Sequence, residues 1–180
     1  RVTRSRDNVL LELDGQPALG LYKRYLGDRA AGLPATGLLF PLELTRDSSG
    51  ANPLVRTLLA VDEAAQSLTF AGDLPEGWYV RLMKATAEQI VEGAGLAGQD
   101  VAGKLAGSGP GLALMVSCVG RRLVLGQRVE QELEAVMAAL PPGTTGLGFY
   151  SYGEACPCAG SGLSELHNQT MTLTVLAERA

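Results

Sequence analysis

Leu112-Ala113-Leu114-Met115-Val116-Ser117-Cys118, followed by Val119-Gly120-Arg121-Arg122, is the stretch on which the reading of this chain turns. An uncharged run of this length, preceded by Gly107-Ser108-Gly109-Pro110-Gly111 read as a loop, has the form of a central strand buried on both faces. Beyond the paired arginines, Val129, Leu133, Val136 and Leu140 recur at helical spacing. That pattern turns Glu130, Glu132 and Glu134 outward, and Pro141-Pro142 ends the helix. Thr145 to Tyr152 then reads as a strand, Cys156 to Gly162 as a loop, and Gln169 to Leu176 as a last alternating strand.

Upstream, Val9 to Leu13 ends in Asp14-Gly15, a strand closed by a turn. Pro17 and Gly27 bracket a short helix from Ala18 to Leu26. Leu38 to Leu44 is expected as a strand interrupted by Pro41. Leu54 to Val61, Ser67 to Ala71 and Trp78 to Met83 are expected as an antiparallel meander. Thr86-Ala87-Glu88-Gln89 opens a second helix with a capping box, and Gly93, Gly95 and Gly98 leave its far end open. The whole is an α+β fold: one domain with a mixed, mainly antiparallel β-sheet and about three packed helices. Its expected core is Leu112, Leu114, Val116, Val129, Leu133, Val136, Phe149, Leu173 and Val175.

Composition narrows the function. The 180 residues are 46% apolar and 19% charged, enough for a packed core and against global disorder. A net charge of −4, with aromatics at 5%, supplies neither a phosphate-gripping surface nor stacking platforms, so no nucleic acid is expected as partner. No glycine-rich stretch has the Walker A ending or the dinucleotide-binding spacing. No membrane span is expected, because no apolar run approaches the required length. The three cysteines, Cys118, Cys156 and Cys158, are too few for a disulfide scaffold and suit a reducing, cytoplasmic setting. Cys156-Pro157-Cys158 lacks a full metal-ligand set and reads as a solvent-near loop; no metal or cofactor is expected. The chain opens on Arg1, as a piece excised from a longer protein would.

Chemistry concentrates after two strands. Cys118, Arg121 and Arg122 stand at the turn between the central strand and a helix, where backbone N–H groups and a guanidinium together favour a carboxylate. Taken alone, paired arginines on a loop are more often simply solvated. Tyr150, Ser151, Tyr152 and Glu154 follow the next strand and offer hydroxyls and an acceptor for an ammonium group. His167, the single histidine, lies beside Asn168 before the last strand. If the two strands are neighbours, Arg121 or Arg122 faces Glu154 across a cleft fitted to a zwitterionic amino acid, or pairs with it as a strut. A Cys118–His167 thiol nucleophile is the weaker alternative, since a cysteine in an apolar run is usually a buried small hydrophobe.

Ala18-Leu19-Gly20-Leu21-Tyr22-Lys23-Arg24-Tyr25-Leu26-Gly27, Arg81-Leu82-Met83, Ser117 to Arg122, Gly148 to Glu154 and Leu166-His167-Asn168-Gln169-Thr170 occur in register. From about Leu11 to Leu176 the chain resembles the C-terminal half of the FIST domain of signalling proteins. The resemblance implies a small-ligand sensor rather than an enzyme, with amino acids as suggested ligands. It also implies a cytoplasmic place and signalling partner proteins or a FIST N-terminal half, which this chain lacks. Eukaryotic relatives imply an alternative, a protein–protein recruitment module without a small ligand. The resemblance carries no ligand-contact residues, so the candidate site rests on the residue argument alone.

Overall fold

Punctuation sets the first helix. Pro17 opens it with a fixed φ and no N–H to lose, and Gly27, at φ 59°, closes it, so α1 runs Ala18–Leu26. The computed structural model describes residues 1–105, 107–157 and 164–179. They divide into two compact units: Arg1–Ala85 with Ala155–Asn168, and Thr86–Glu154 with the chain from Gln169.

In the first unit the polar opening of the chain is itself a strand, β1 (Val2–Arg6), which turns through Asp7 at φ 51° into β2 (Val9–Leu13). Only Val2 of β1 is buried, so its sequence carries no apolar alternation to read. The two residues of β3 (Gln16–Pro17) pair with β2. The expected strand from Leu38 to Leu44 is shorter: residues 35–39 form a 3₁₀ turn, and β4 is Leu42–Thr45. Pro41 has no N–H to give a ladder, and its carbonyl instead accepts from Met83 N–H at 2.9 Å.

The expected meander does not form. Leu54 to Val61 is two strands, β5 (Leu54–Arg56) and β6 (Leu58–Asp62), in different sheets. Arg56, Thr57 and Leu58 are buried in succession, a pattern that one extended strand of period two cannot produce. β6 pairs with β7 (Ser67–Phe70) in the order β1-β2-β7-β6, whereas β8 (Tyr79–Leu82) joins β4 and β5. Leu10, Leu19, Leu44, Leu68, Phe70 and Leu74 fill a core made almost wholly of side chains with no polar atom.

The second unit begins at Thr86, whose hydroxyl oxygen accepts the Gln89 N–H and caps α2 (Ala87–Lys104). This helix runs on through its glycines, and Gly98 lies close against the backbone of the helix it packs on, where a side chain would fit only tightly. That partner is reached after β9 (Ser108–Cys118), α3 (Val119–Leu125) and a 3₁₀ turn: it is α4 (Val129–Ala139). The segment expected as the loop 107–111 is mostly strand, with Gly111 paired to Ala177. β10 (Thr145–Ser151) lies parallel to β9. The chain then forms β11 (Glu154–Pro157) and β12 (Ser164–His167), a two-stranded sheet, before β13 (Met171–Arg179) runs antiparallel to β9. Cys156 and Pro157, expected in a loop, are therefore in a strand; Cys158 to Gly162 lie outside the described residues.

The sheets are mixed and mainly antiparallel, as the α+β reading requires, and β9 is central between β10 and β13. It is not buried on both faces. Ala113, Met115 and Ser117 turn into the core with Ala94, Val136 and Leu140, while Leu112 is 38% exposed and Leu114 and Val116 are half-buried. Of the expected core only Val136 is fully enclosed; Phe149 is 59% exposed and Leu133 38%, and Val129, Leu173 and Val175 are partly buried. A strand apolar at every position does not say which alternate set faces the helices. Here the closely packed α2 and α4 take the set with the smaller residues. No helix among the described residues is long and apolar enough to cross a membrane.

Candidate functional site

β9 and β10 end together, with Ser151 opposite Cys118 in register. The chain beyond β9 does not loop. Cys118 stands at the start of α3, and Arg121 and Arg122 lie in its first turn. Helical geometry sends two adjacent side chains about 100° apart, so the two arginines part company.

Arg121 goes inward. Its Nε–H donates to Glu132 Oε2 at 2.9 Å and its Nη2–H to the Ile90 carbonyl at 2.9 Å. Glu132 Oε1 accepts from the Ser117 hydroxyl at 3.1 Å. Glu132, expected to face solvent, is 0% exposed. On the α4 helix it stands one turn from Val136 and two from Leu140, on the buried stripe. An ion pair withdrawn from water in this way holds only with its remaining lone pairs and protons satisfied, and the serine and the carbonyl do that.

Arg122 goes outward, its guanidinium 5.3 Å from the centre of the Tyr150 ring. Burial first, and the nearby Glu132 carboxylate second, push the Tyr150 hydroxyl above its ordinary pKa. Glu154, 3% exposed, accepts from the hydroxyls of Ser151 and Thr170, the latter at 2.8 Å. Burial raises its carboxyl above the usual range despite those two bonds. Neither arginine forms an ion pair with Glu154, although the charge of Arg121 acts on it, so the expected Arg–Glu154 strut is corrected. The strut exists, but its acid is Glu132.

The other expected residues are placed differently. Tyr152 is 86% exposed. Cys118 is buried, and burial pushes its thiol up, so it is held protonated where a nucleophile needs a thiolate. His167 and Asn168 belong to the first unit. There the Asn168 side-chain oxygen accepts the Thr57 N–H at 3.4 Å, and its own N–H donates to the Val55 carbonyl at 3.3 Å. Burial, with Arg56 as a second cause, lowers the His167 pKa. Sequence reasoning missed Ser117, Glu132 and Thr170. The available signal was a glutamate on the flank of an apolar helical stripe, eleven positions after an arginine beside a buried strand.

Beside this network the second unit has a groove of about 270 Å³, lined by Leu133 of α4, Met115 and Ser117 of β9, and residues 146–150 of β10. Two glycines of β10 are closely packed beside it. A Cβ on Gly146 would lie 2.8 Å from the Met137 sulfur, and one on Gly148 would lie 2.1 Å from the Met115 carbonyl oxygen. The first unit has a separate cavity of about 250 Å³ among Leu13, Tyr22, Leu42 and Leu82, lined by none of the expected site residues.

Neither a curated protein nor a solved structure matches the chain. The model of the FIST C domain family matches residues 18–157, a span that includes α1, the capped α2, both strands of the groove and the arginines of α3. By that match the chain belongs to the FIST C family, a family of sensory and signal-transduction domains.

Proposed function

We propose that this chain is the small-ligand-sensing part of a cytoplasmic signal-transduction protein, and that its ligand is an amino acid or other small carboxylate held in the groove between α4 and β10. The observation that supports this most is the junction of an apolar groove of about 270 Å³ with a buried, fully bonded Ser117–Glu132–Arg121 network. Apolar walls give a ligand area to cover, and a fixed polar end gives it an orientation. The same network touches α2, α3, α4 and β9, so an occupant pressing on it has a mechanical route to the whole unit. Signalling proteins, or a FIST N-terminal half, would receive that change. FIST C is a sensory family rather than a known enzyme family, and the raised Cys118 thiol fits that reading.

A thermal-shift panel of amino acids and small carboxylates tests the proposal. A ligand at 100 times its Kd adds about 2.7 kcal/mol and raises Tm by several degrees. Leu133→Trp, which fills the groove from α4, should abolish the shift. A panel without any shift, or a shift indifferent to Leu133→Trp, overturns it.

One feature favours the recruitment alternative. Register puts Leu112, Leu114, Val116, Leu147, Phe149 and Leu176 on one face of the β10-β9-β13 sheet, with Leu176 67% exposed. An uncharged face of this kind is typical of interaction sites. Binding of a protein partner that survives Leu133→Trp but is lost with Leu176→Glu would favour that reading.

A further inference from the structure

The acids around the groove are already engaged. Glu132 has one oxygen on the Ser117 hydroxyl and the other on the Arg121 guanidinium, and it has no exposed surface. Glu154 has one oxygen on Ser151 and the other on Thr170. No aspartate or glutamate lines the groove itself. An ammonium group entering here would find these carboxylates already bonded and withdrawn from its reach, so the desolvation it pays would go largely unreturned.

The cation is a different matter. Arg122 is exposed, rests over the Tyr150 ring and has no carboxylate partner among the described residues. Tyr150 lines the groove. A guanidinium stacked on an aromatic face keeps its N–H edge free and held in plane, the geometry that accepts a carboxylate with two parallel bonds. Arg122 does not line the groove itself; it meets it through Tyr150, and from that ring the groove runs along Leu133 and Met115, apolar and smaller than the roughly 300–1,000 Å³ of drug-sized sites.

We propose that the groove selects a small carboxylate with an apolar tail, its carboxylate on Arg122 and its tail against Leu133, and that it has no subsite for an α-ammonium group. This rests on the ligand-sensing reading of the same groove. It narrows that reading by excluding the zwitterion that the sequence first suggested.

The experiment is titration calorimetry of the full chain with hexanoate, hexanamide and norleucine, repeated on Arg122→Gln, Arg122→Lys and Leu133→Trp. Hexanoate should bind at least tenfold more tightly than hexanamide, and norleucine should bind more weakly than hexanoate. Arg122→Gln should lose at least tenfold in hexanoate affinity while remaining folded by circular dichroism, and Arg122→Lys should recover part of the loss. Leu133→Trp should abolish binding. Norleucine binding as tightly as hexanoate, or hexanoate binding indifferent to Arg122→Gln, overturns the carboxylate-only site; if Leu133→Trp still abolishes binding, the groove remains a ligand site. Failure of all three probes while another small molecule binds in a Leu133→Trp-sensitive way overturns this inference alone. Failure of every ligand overturns both.

Discussion

Among the described residues each unit buries one arginine, and the two are held in opposite ways. Arg56, in the first, donates to the carbonyls of Asp73, Leu166 and Val55, and the carboxylates of Asp73 and Glu165 act on it through their charge, without an ion pair among the described residues. Arg121, in the second, is locked to a carboxylate that is itself wholly buried. The surroundings differ to match. The first unit packs its arginine at the rim of a leucine-rich core, whereas the second has a small core, Ala94, Ala113, Met115, Val136 and Leu140, beside its ion pair. An arginine on carbonyls pins loops. An arginine on a buried acid couples three helices and a strand through one charge balance, which any change at the groove disturbs.

The largest effect expected from this contrast is at Glu132. Glu132→Ala strands the Arg121 charge in the interior and should cost about 3–5 kcal/mol in urea unfolding. The double change Arg121→Met with Glu132→Leu should recover most of that loss, because apolar side chains of similar size pack without the desolvation cost. A double variant as unstable as the single one would mean that packing, not charge, is what Glu132 supplies. Arg56→Met comes next. It orphans carbonyls rather than an ion, so about 1–3 kcal/mol is expected, read from the fluorescence of Trp78, the one tryptophan, in the same unit. A loss as large as that of Glu132→Ala would erase the distinction between the two arginines.

Thr86→Ala removes the α2 cap and should cost about 1 kcal/mol, lowering hydrogen-exchange protection in the first turn of that helix while leaving the first unit's protection unchanged. The smallest effect is on pH dependence, and there the units oppose each other. His167 is lowered from 6.5, so the stability it contributes is present above that pH and fades as pH falls below it. Glu154 is raised from 4.5, so its contribution is full below that pH and fades as pH rises through the raised value. Between pH 7 and 5, His167→Gln should therefore flatten the acid loss of stability and Glu154→Gln should steepen it. Urea midpoints across that range check both slopes, and equal slopes in the two variants would break the comparison.

What was legible in the sequence was whatever a local signal specifies. Pro17 and Gly27 bound α1, Thr86 and Gln89 open α2, and an uncharged run marks β9 as central. What was not legible depended on a partner elsewhere. The stretch from Leu54 to Val61 divides between two sheets at Thr57, whose N–H meets the side chain of Asn168, 111 positions later. The face of β9 that enters the core is set by how closely α2 and α4 approach. The candidate site split along the same line. The neighbouring ends of β9 and β10 followed from the pattern of strands, but the acid that holds Arg121 sits on a helix whose four apolar landmarks pointed it outward. Polar residues on the flank of an amphipathic stripe have no periodicity of their own, and only their partners show which way they turn.

The way the chain alternates between units has a consequence for synthesis. Residues 155–168 complete the first unit, and β13, which hydrogen-bonds along most of β9, lies beyond residue 170. A nascent chain that has released α4 and β10 thus presents a central strand with one side open, and it stays so until β13 leaves the ribosome tunnel. Growth rates of roughly 5–20 residues per second make that exposure a matter of seconds. Ribosomal pausing between β10 and β13 should therefore be the point at which this protein is most exposed to aggregation and most dependent on chaperones, and shortening β13 should lower soluble yield without touching any residue of the groove.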